Sequence, residues 1–202
     1  MNTVMKSRFT SDEYLQWESE QTEKHEYYSG EVFAMAGARR AHVVVSGNIF
    51  AGFKQALRGS GCQAYIADMK LRVEYVDAFF YPDVMVSCSQ QDRRADQYLS
   101  EPTLIVEVLS DSTAAFDRGD KFAAYRSLTS LQEYVIVDIA ARRIECFRRT
   151  ADNDWLLHDY IGEQVCQFTS IDVSMTLAEV FEDVEVLNDE LLPQHGAINP
   201  IP

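Results

Sequence analysis

Thr103-Leu104-Ile105-Val106-Glu107-Val108-Leu109 is a dense run of β-branched and aliphatic residues interrupted by one carboxylate. A run without alternation is the pattern of a central strand buried on both faces. Such a strand needs packed layers on each side, so an α/β fold is expected, a mixed sheet flanked by helices. Downstream, Ser112 or Thr113 can cap a helical segment to about Leu128, broken near Gly119. Glu133 to Asp138 is another apolar strand. Arg142 to Arg148 and Trp155 to Ile161 read as antiparallel strands of a C-terminal meander.

Upstream, Met69, Leu71, Val73 and Tyr75 alternate with Lys70, Arg72 and Glu74, a half-buried strand. Phe79 to Val86 reads as a second strand, and the polar stretch Gln90 to Ser100 as an exposed loop. Val45, Ile49, Phe53 and Leu57 recur at i+4 and predict a helix from Arg40 to Arg58, stopped by Gly59 and Gly61. Glu26-Tyr-Tyr and Glu31-Val-Phe-Ala-Met35 flank Ser29-Gly30 and predict a hairpin. Thr10-Ser-Asp-Glu13 and Thr176-Leu-Ala-Glu179 are capping boxes, each opening a short helix. No repeat or linker divides the chain, so one domain over 1–191 is expected, with 192–202 as a flexible tail.

The 202 residues suffice for one sizeable core. No apolar run approaches the roughly 18 residues of a membrane span. The first ten residues lack a signal-peptide stretch, so a cytoplasmic protein is expected. The four cysteines, Cys62, Cys88, Cys146 and Cys166, form no C-x-x-C pair and read as buried free thiols. A net charge of −14 opposes broad nucleic-acid affinity. From Arg39 to Arg149, however, 15 lysines and arginines face 14 acids, so the acid excess sits in the two ends. A nucleic-acid surface would belong to the middle of the chain.

Glu107 is the most informative residue. A carboxylate in a buried strand is costly unless it is paired, hydrogen-bonded or bound to metal. Asp83 is a second isolated acid, in Phe79-Phe-Tyr-Pro-Asp-Val-Met-Val86, after a proline that cannot donate to a ladder. If the two strands pair, both acids can converge on one divalent cation such as Mg²⁺. Two bare carboxylates should also repel, so Asp83→Asn is expected to raise the metal-free melting temperature. A structural ion pair is the competing reading of both acids. No phosphate-cradling glycine loop or G-x-S-x-G elbow is present.

Tyr81-Pro-Asp-Val, Glu101-Pro-Thr-Leu-Ile-Val-Glu-Val-Leu-Ser110, Ser112-Thr113, Asp117-Arg-Gly-Asp-Lys121 and Tyr125, in this order, resemble the Uma2 family. That family is placed among the endonucleases of the PD-(D/E)xK, restriction-endonuclease-like superfamily. The resemblance runs from about Phe9 to Val184 and includes Gly30-Glu31, Met35-Ala-Gly37 and His42. It implies that Asp83, Glu107 and the backbone carbonyl of Val108 hold Mg²⁺ or Mn²⁺. The superfamily's lysine position is Leu109 here, a departure, and the resemblance implies Lys121 as the substitute ammonium. Glu31 resembles the additional acid carried ahead of the central strands. His42 and Asp68 are weaker candidates, and Asp117 and Asp120 read as helix-start charges. The implied activity is metal-dependent hydrolysis of phosphodiester bonds in DNA, by a possible homodimer. The rival readings are an inactive nucleic-acid-binding or scaffolding protein of the same fold, and a binding module whose acids are structural.

Overall fold

Helix α1 (Ser11–Glu18) begins where the capping box places it: Thr10 accepts from the Glu13 N–H while the Glu13 carboxylate accepts from the Thr10 N–H. The structure is a computed structural model and describes residues 8–184. The expected tail at 192–202 lies outside the described residues. After α1 come the hairpin strands β1 (His25–Tyr28) and β2 (Glu31–Ala34), turning at Ser29 and Gly30, both with positive φ. Helix α2 (Arg40–Ala56) follows, then β3 (Gln63–Ile66), β4 (Lys70–Val73), β5 (Ala78–Phe80), β6 (Val84–Ser87), the short β7 (Tyr98–Leu99) and β8 (Leu104–Val108). Helix α3 (Ala114–Phe116) passes through a π-helical turn (Asp117–Lys121) into α4 (Phe122–Tyr125). Strands β9 (Glu133–Asp138), β10 (Arg143–Arg149), β11 (Trp155–Tyr160), β12 (Val165–Phe168) and β13 (Val173–Thr176) precede α5 (Leu177–Val180), opened by the second capping box.

These strands build two mixed sheets and a separate hairpin. The first sheet has the order β2-β1-β5-β4-β7, the second β11-β10-β9-β8-β6-β3, and β12 pairs with β13. Strand β8 is central, antiparallel to β6 and parallel to β9, and buried along its whole length as its composition requires. Its residues divide between two cores. Leu104, Val106 and Val108 pack with Val45, Ile49 and Phe53 of α2. Ile105 faces the other way, into a core shared with Leu71 and Phe80 of the first sheet and with Tyr125. By the alternation of a strand, Glu107 points into that second layer. Helix α1 covers the outer face of the first sheet through Tyr14, against Tyr27 and Phe79.

Three sequence expectations change. The stretch Gln90 to Ser100, read as an exposed loop, carries β7 at the edge of the first sheet and buries Leu99 and Asp92, the Asp92 carboxylate accepting from Ser87, Ser100 and Glu101. The single strand read over Phe79 to Val86 is two strands, β5 in one sheet and β6 in the other. Pro82 has no N–H for a ladder, and the chain crosses between the sheets at Tyr81-Pro82-Asp83. The four cysteines are not all free. Gln63 pairs with Ser87 in the β3–β6 ladder, and the residues just beyond that pair, Cys62 and Cys88, form a disulfide across 26 residues of sequence. Cys146 and Cys166 are the buried free thiols. Closing a loop of this size restricts the unfolded chain, so Cys62→Ser with Cys88→Ser should lower the unfolding free energy by about 3 kcal/mol under oxidising conditions. Urea melts of wild type with and without dithiothreitol should reproduce that difference; a melt indifferent to reductant would mean that the bridge does not form in solution.

Candidate active site

The crossing at Tyr81-Pro82-Asp83 delivers Asp83 to the end of the central strands. Val84 pairs with Val106, so the next step of the same register brings Asp83 opposite Glu107, on the same face. The two acids are held differently. Asp83 Oδ2 accepts from the Val108 N–H at 2.7 Å and lies 3.2 Å from His42 Nε2. Its side chain is 21% exposed, so this side of the site opens to solvent. Glu107 is only 3% exposed. Its Oε1 accepts from the Tyr125 hydroxyl at 2.8 Å and lies 3.1 Å from Lys121 Nζ.

Lys121 is the hub. Its ammonium, itself buried, lies 3.0 Å from Glu26 Oε1, 3.1 Å from Glu107 Oε1 and 3.6 Å from Asp117 Oδ1. It also sits 5.6 Å above the Phe80 ring. The π-helical turn puts Asp117 and Lys121 side by side facing inward, and Tyr125 one turn later on the same side. Glu26 is fixed from the other direction, because its Oε1 accepts the Tyr81 N–H at 3.2 Å. Tyr81 lies just past the end of β5, and the carboxylate satisfies the N–H that has no ladder partner there.

One buried ammonium among three carboxylates leaves net negative charge in an apolar layer. Burial pushes the Glu107 carboxyl well above the usual carboxylate range, against the pull of Lys121, with Asp117, Asp83 and Glu26 adding repulsion. Burial likewise raises Asp117. For Lys121 burial acts downward, but the three acids outweigh it and hold the ammonium charged. Burial also lowers His42, and the Asp83 carboxylate, the Val108 carbonyl and Asp117 more than offset it, so its imidazole is held above its ordinary range. Burial and the neighbouring Glu107 keep the Tyr125 hydroxyl protonated, as a donor.

The structure therefore brings Asp83, Glu107, Val108 and Lys121 together. Glu31 is not among them: it is exposed on β2, opposite Tyr28, and makes no ion pair among the described residues. Glu26, two pairs along the same ladder, is the additional acid of the cluster. Sequence reasoning missed it, because Glu26-Tyr-Tyr reads as ordinary hairpin. Asp117 is a buried partner of Lys121 rather than a solvated helix-start charge. Asp68 is exposed and pairs with Lys24.

Among the described residues, no group of three or more His, Cys, Asp or Glu side chains is arranged as a metal cage. The oxygens present still suit a small hard cation. Asp83 Oδ1 and Glu107 Oε2 accept no hydrogen bond from the described residues, and the Val108 backbone adjoins them, its N–H on Asp83 Oδ2 and its carbonyl against His42. Mg²⁺ keeps several waters and needs only one or two carboxylates.

A family model described as "Uma2: Putative restriction endonuclease" matches residues 11–187. Two Synechocystis proteins carrying the names "Uncharacterized protein slr1290" and "Uncharacterized protein sll1609" are similar to the chain. The first is 36% identical over 86% of this chain and 92% of its own length. The second is 35% identical over 76% of this chain and 88% of its own. A crystal structure from Anabaena variabilis, described as a "putative nuclease belonging to DUF820", superposes with a TM-score of 0.72 at 14% identity, covering 86% of this chain and 97% of that one. That match shows a shared fold.

Proposed function

The chain belongs to the Uma2 family, and from that premise we propose that it is a metal-dependent endonuclease hydrolysing phosphodiester bonds in DNA. The observation that carries the reading is the convergence of Asp83, Glu107 and the Val108 backbone from adjacent strands, with the Lys121 ammonium held against Glu107. Asp83, Glu107 and the Val108 carbonyl would hold Mg²⁺ or Mn²⁺. Such a cation polarises the phosphate and lowers the pKa of a bound water.

The chain's own groups supply the rest. Glu26 and Asp117 fix Lys121 in position and keep it charged. Its ammonium orients the attacking water or offsets the charge that grows on the phosphoryl oxygens. Tyr125 holds Glu107 in one orientation, and the Val108 N–H does the same for Asp83. Water forms a bond to phosphorus and gives up a proton to solvent, while the ester oxygen opposite leaves and takes one up. Cutting both strands of a duplex calls for two such sites and so for a homodimer. A cytoplasmic setting belongs to the same reading. The described residues contain no helix long and apolar enough to cross a membrane.

Magnesium binding tests the reading directly. At a hundredfold excess over its Kd, Mg²⁺ should stabilise wild type by about 2.7 kcal/mol. It should stabilise Glu107→Gln much less, and cleavage of plasmid and oligonucleotide DNA should require the ion. Wild-type melts unmoved by millimolar Mg²⁺ or Mn²⁺, together with no cleavage, would leave the fold and remove the activity.

A further inference from the structure

Tyr81 is anchored at both ends. Its N–H is donated to Glu26, and its hydroxyl to Glu18 Oε1 at 2.9 Å. Two lysines lie over the ring so fixed: Lys24 Nζ is 5.7 Å from its centroid and Lys70 Nζ 5.5 Å. Like charges gathered on one ring repel, and one of the two, Lys24, is paired with the exposed Asp68. No carboxylate lies within ion-pair distance of Lys70 among the described residues. A chain with net charge −14 thus keeps one unpaired ammonium, Lys70, beside a paired one at this ring.

That place adjoins the carboxylate cluster. Tyr81 precedes Asp83 by two residues, a span of at most about 7 Å along the backbone. The Ala67 N–H is donated to the Asp83 carbonyl at 3.0 Å, so the segment leading through Asp68 to Lys70 runs beside Asp83. Lys24 stands two residues before Glu26. Both lysines therefore belong to the border of the site, while their ammonium groups remain outside its buried cluster.

We propose that Lys24 and Lys70 bind a backbone phosphate of the nucleic-acid strand next to the one attacked, and so set the strand's register over Asp83 and Glu107. This rests on the nuclease reading and extends it to how substrate is held. A phosphate there gives Lys70 the partner it lacks and competes with the exposed Asp68 for Lys24, and the aromatic ring limits the motion of both side chains. A lysine is suited to this as a point charge that reads phosphate without reading sequence. Because the whole molecule repels DNA, these local contacts decide whether a strand is retained at all.

The test uses full-length wild type, Lys24→Gln, Lys70→Gln, the double variant and Lys70→Arg. Lys54→Gln is the control, since Lys54 lies about 18 Å along α2 from His42. Fluorescent DNA and RNA oligonucleotides, single- and double-stranded, are titrated in metal-free buffer across a salt series, and cleavage is followed with Mg²⁺. Each Gln substitution should weaken binding and raise KM about tenfold. Each should reduce the slope of log Kd against log salt by about one, with kcat preserved. Lys70→Arg should restore binding, and Lys54→Gln should behave as wild type. If wild type binds and cleaves but the double variant keeps its salt slope and KM, the lysine proposal is wrong and the nuclease reading stands. A fall in kcat at unchanged KM would also overturn it, by placing the lysines in the chemistry. If wild type neither binds nor cleaves any of the oligonucleotides, both readings fall together.

Discussion

Lys121→Met should lower the free energy of unfolding by about 3–5 kcal/mol, the cost of leaving buried charges without their partner. The ammonium is the cation shared by Glu26, Glu107 and Asp117. Glu107 and Asp117 already sit above the usual carboxylate range because they are buried. The folded state therefore holds protons more tightly than the unfolded chain does at these groups. Their contribution to stability is full below the unfolded pKa and is lost as pH rises through the raised folded one. Without Lys121 they rise further, so the substitution should cost more near pH 8 than near pH 5. Urea melts of both proteins at the two pH values measure this. A difference below about 1 kcal/mol, or one indifferent to pH, would mean that the cluster is hydrated and not the buried charge set described above. Cleavage should fall with stability, by at least about a hundredfold.

Glu107→Gln should separate the two properties. The amide keeps the shape and an oxygen for the Tyr125 hydroxyl, and Lys121 retains Glu26 and Asp117. Burial already favours the neutral form of Glu107, so a neutral replacement should change the unfolding free energy by no more than about 1 kcal/mol. The hard anionic ligand is gone, however. A metal's share of transition-state stabilisation is several kcal/mol, which is about a thousandfold in rate. Single-turnover cleavage beside a urea melt gives both readings. A Glu107→Gln protein with more than about a tenth of wild-type activity would take Glu107 out of the mechanism.

Local chemistry carried much of the fold. The capping boxes at Thr10 and Thr176, the helix from Arg40 and the buried strand around Glu107 are all set by residues adjacent in sequence, and each appears where its pattern places it. Asp83 and Glu107 stood out because carboxylates inside apolar runs need an explanation. What depended on distant partners was not legible. Glu26 is defined by Tyr81 and Lys121, at separations that no local pattern encodes. Glu31, read in its place, differs from it mainly in exposure. The Cys62–Cys88 bridge needs the β3–β6 register before it can be seen. Distant partners also bear on a sign. Two acids considered alone repel, and neutralising Asp83 should then stabilise. In the folded protein Asp83 accepts from Val108 and pairs with His42, so Asp83→Asn should instead destabilise in the absence of metal.

The π-helical turn between Asp117 and Lys121 has a consequence for how this protein can vary. On a regular α-helix, residues four apart drift by about 40° around the axis at each step. Asp117, Lys121 and Tyr125 would then fan over about 80°. The wide turn holds back that drift, and Lys121 and Tyr125 both reach Glu107. Such a turn is in effect one residue more than the helix needs. Removing a residue there, for instance Gly119, would close the coil into an ordinary helix and leave the side chains beyond it facing much as before. Lys121 and Tyr125 would still reach Glu107, and only the spacing of Asp117 from Lys121 would shorten. This segment can therefore lose its surplus residue and keep both groups that hold Glu107, whereas a deletion within the regular turns of α2 would rotate everything after it by about 100°.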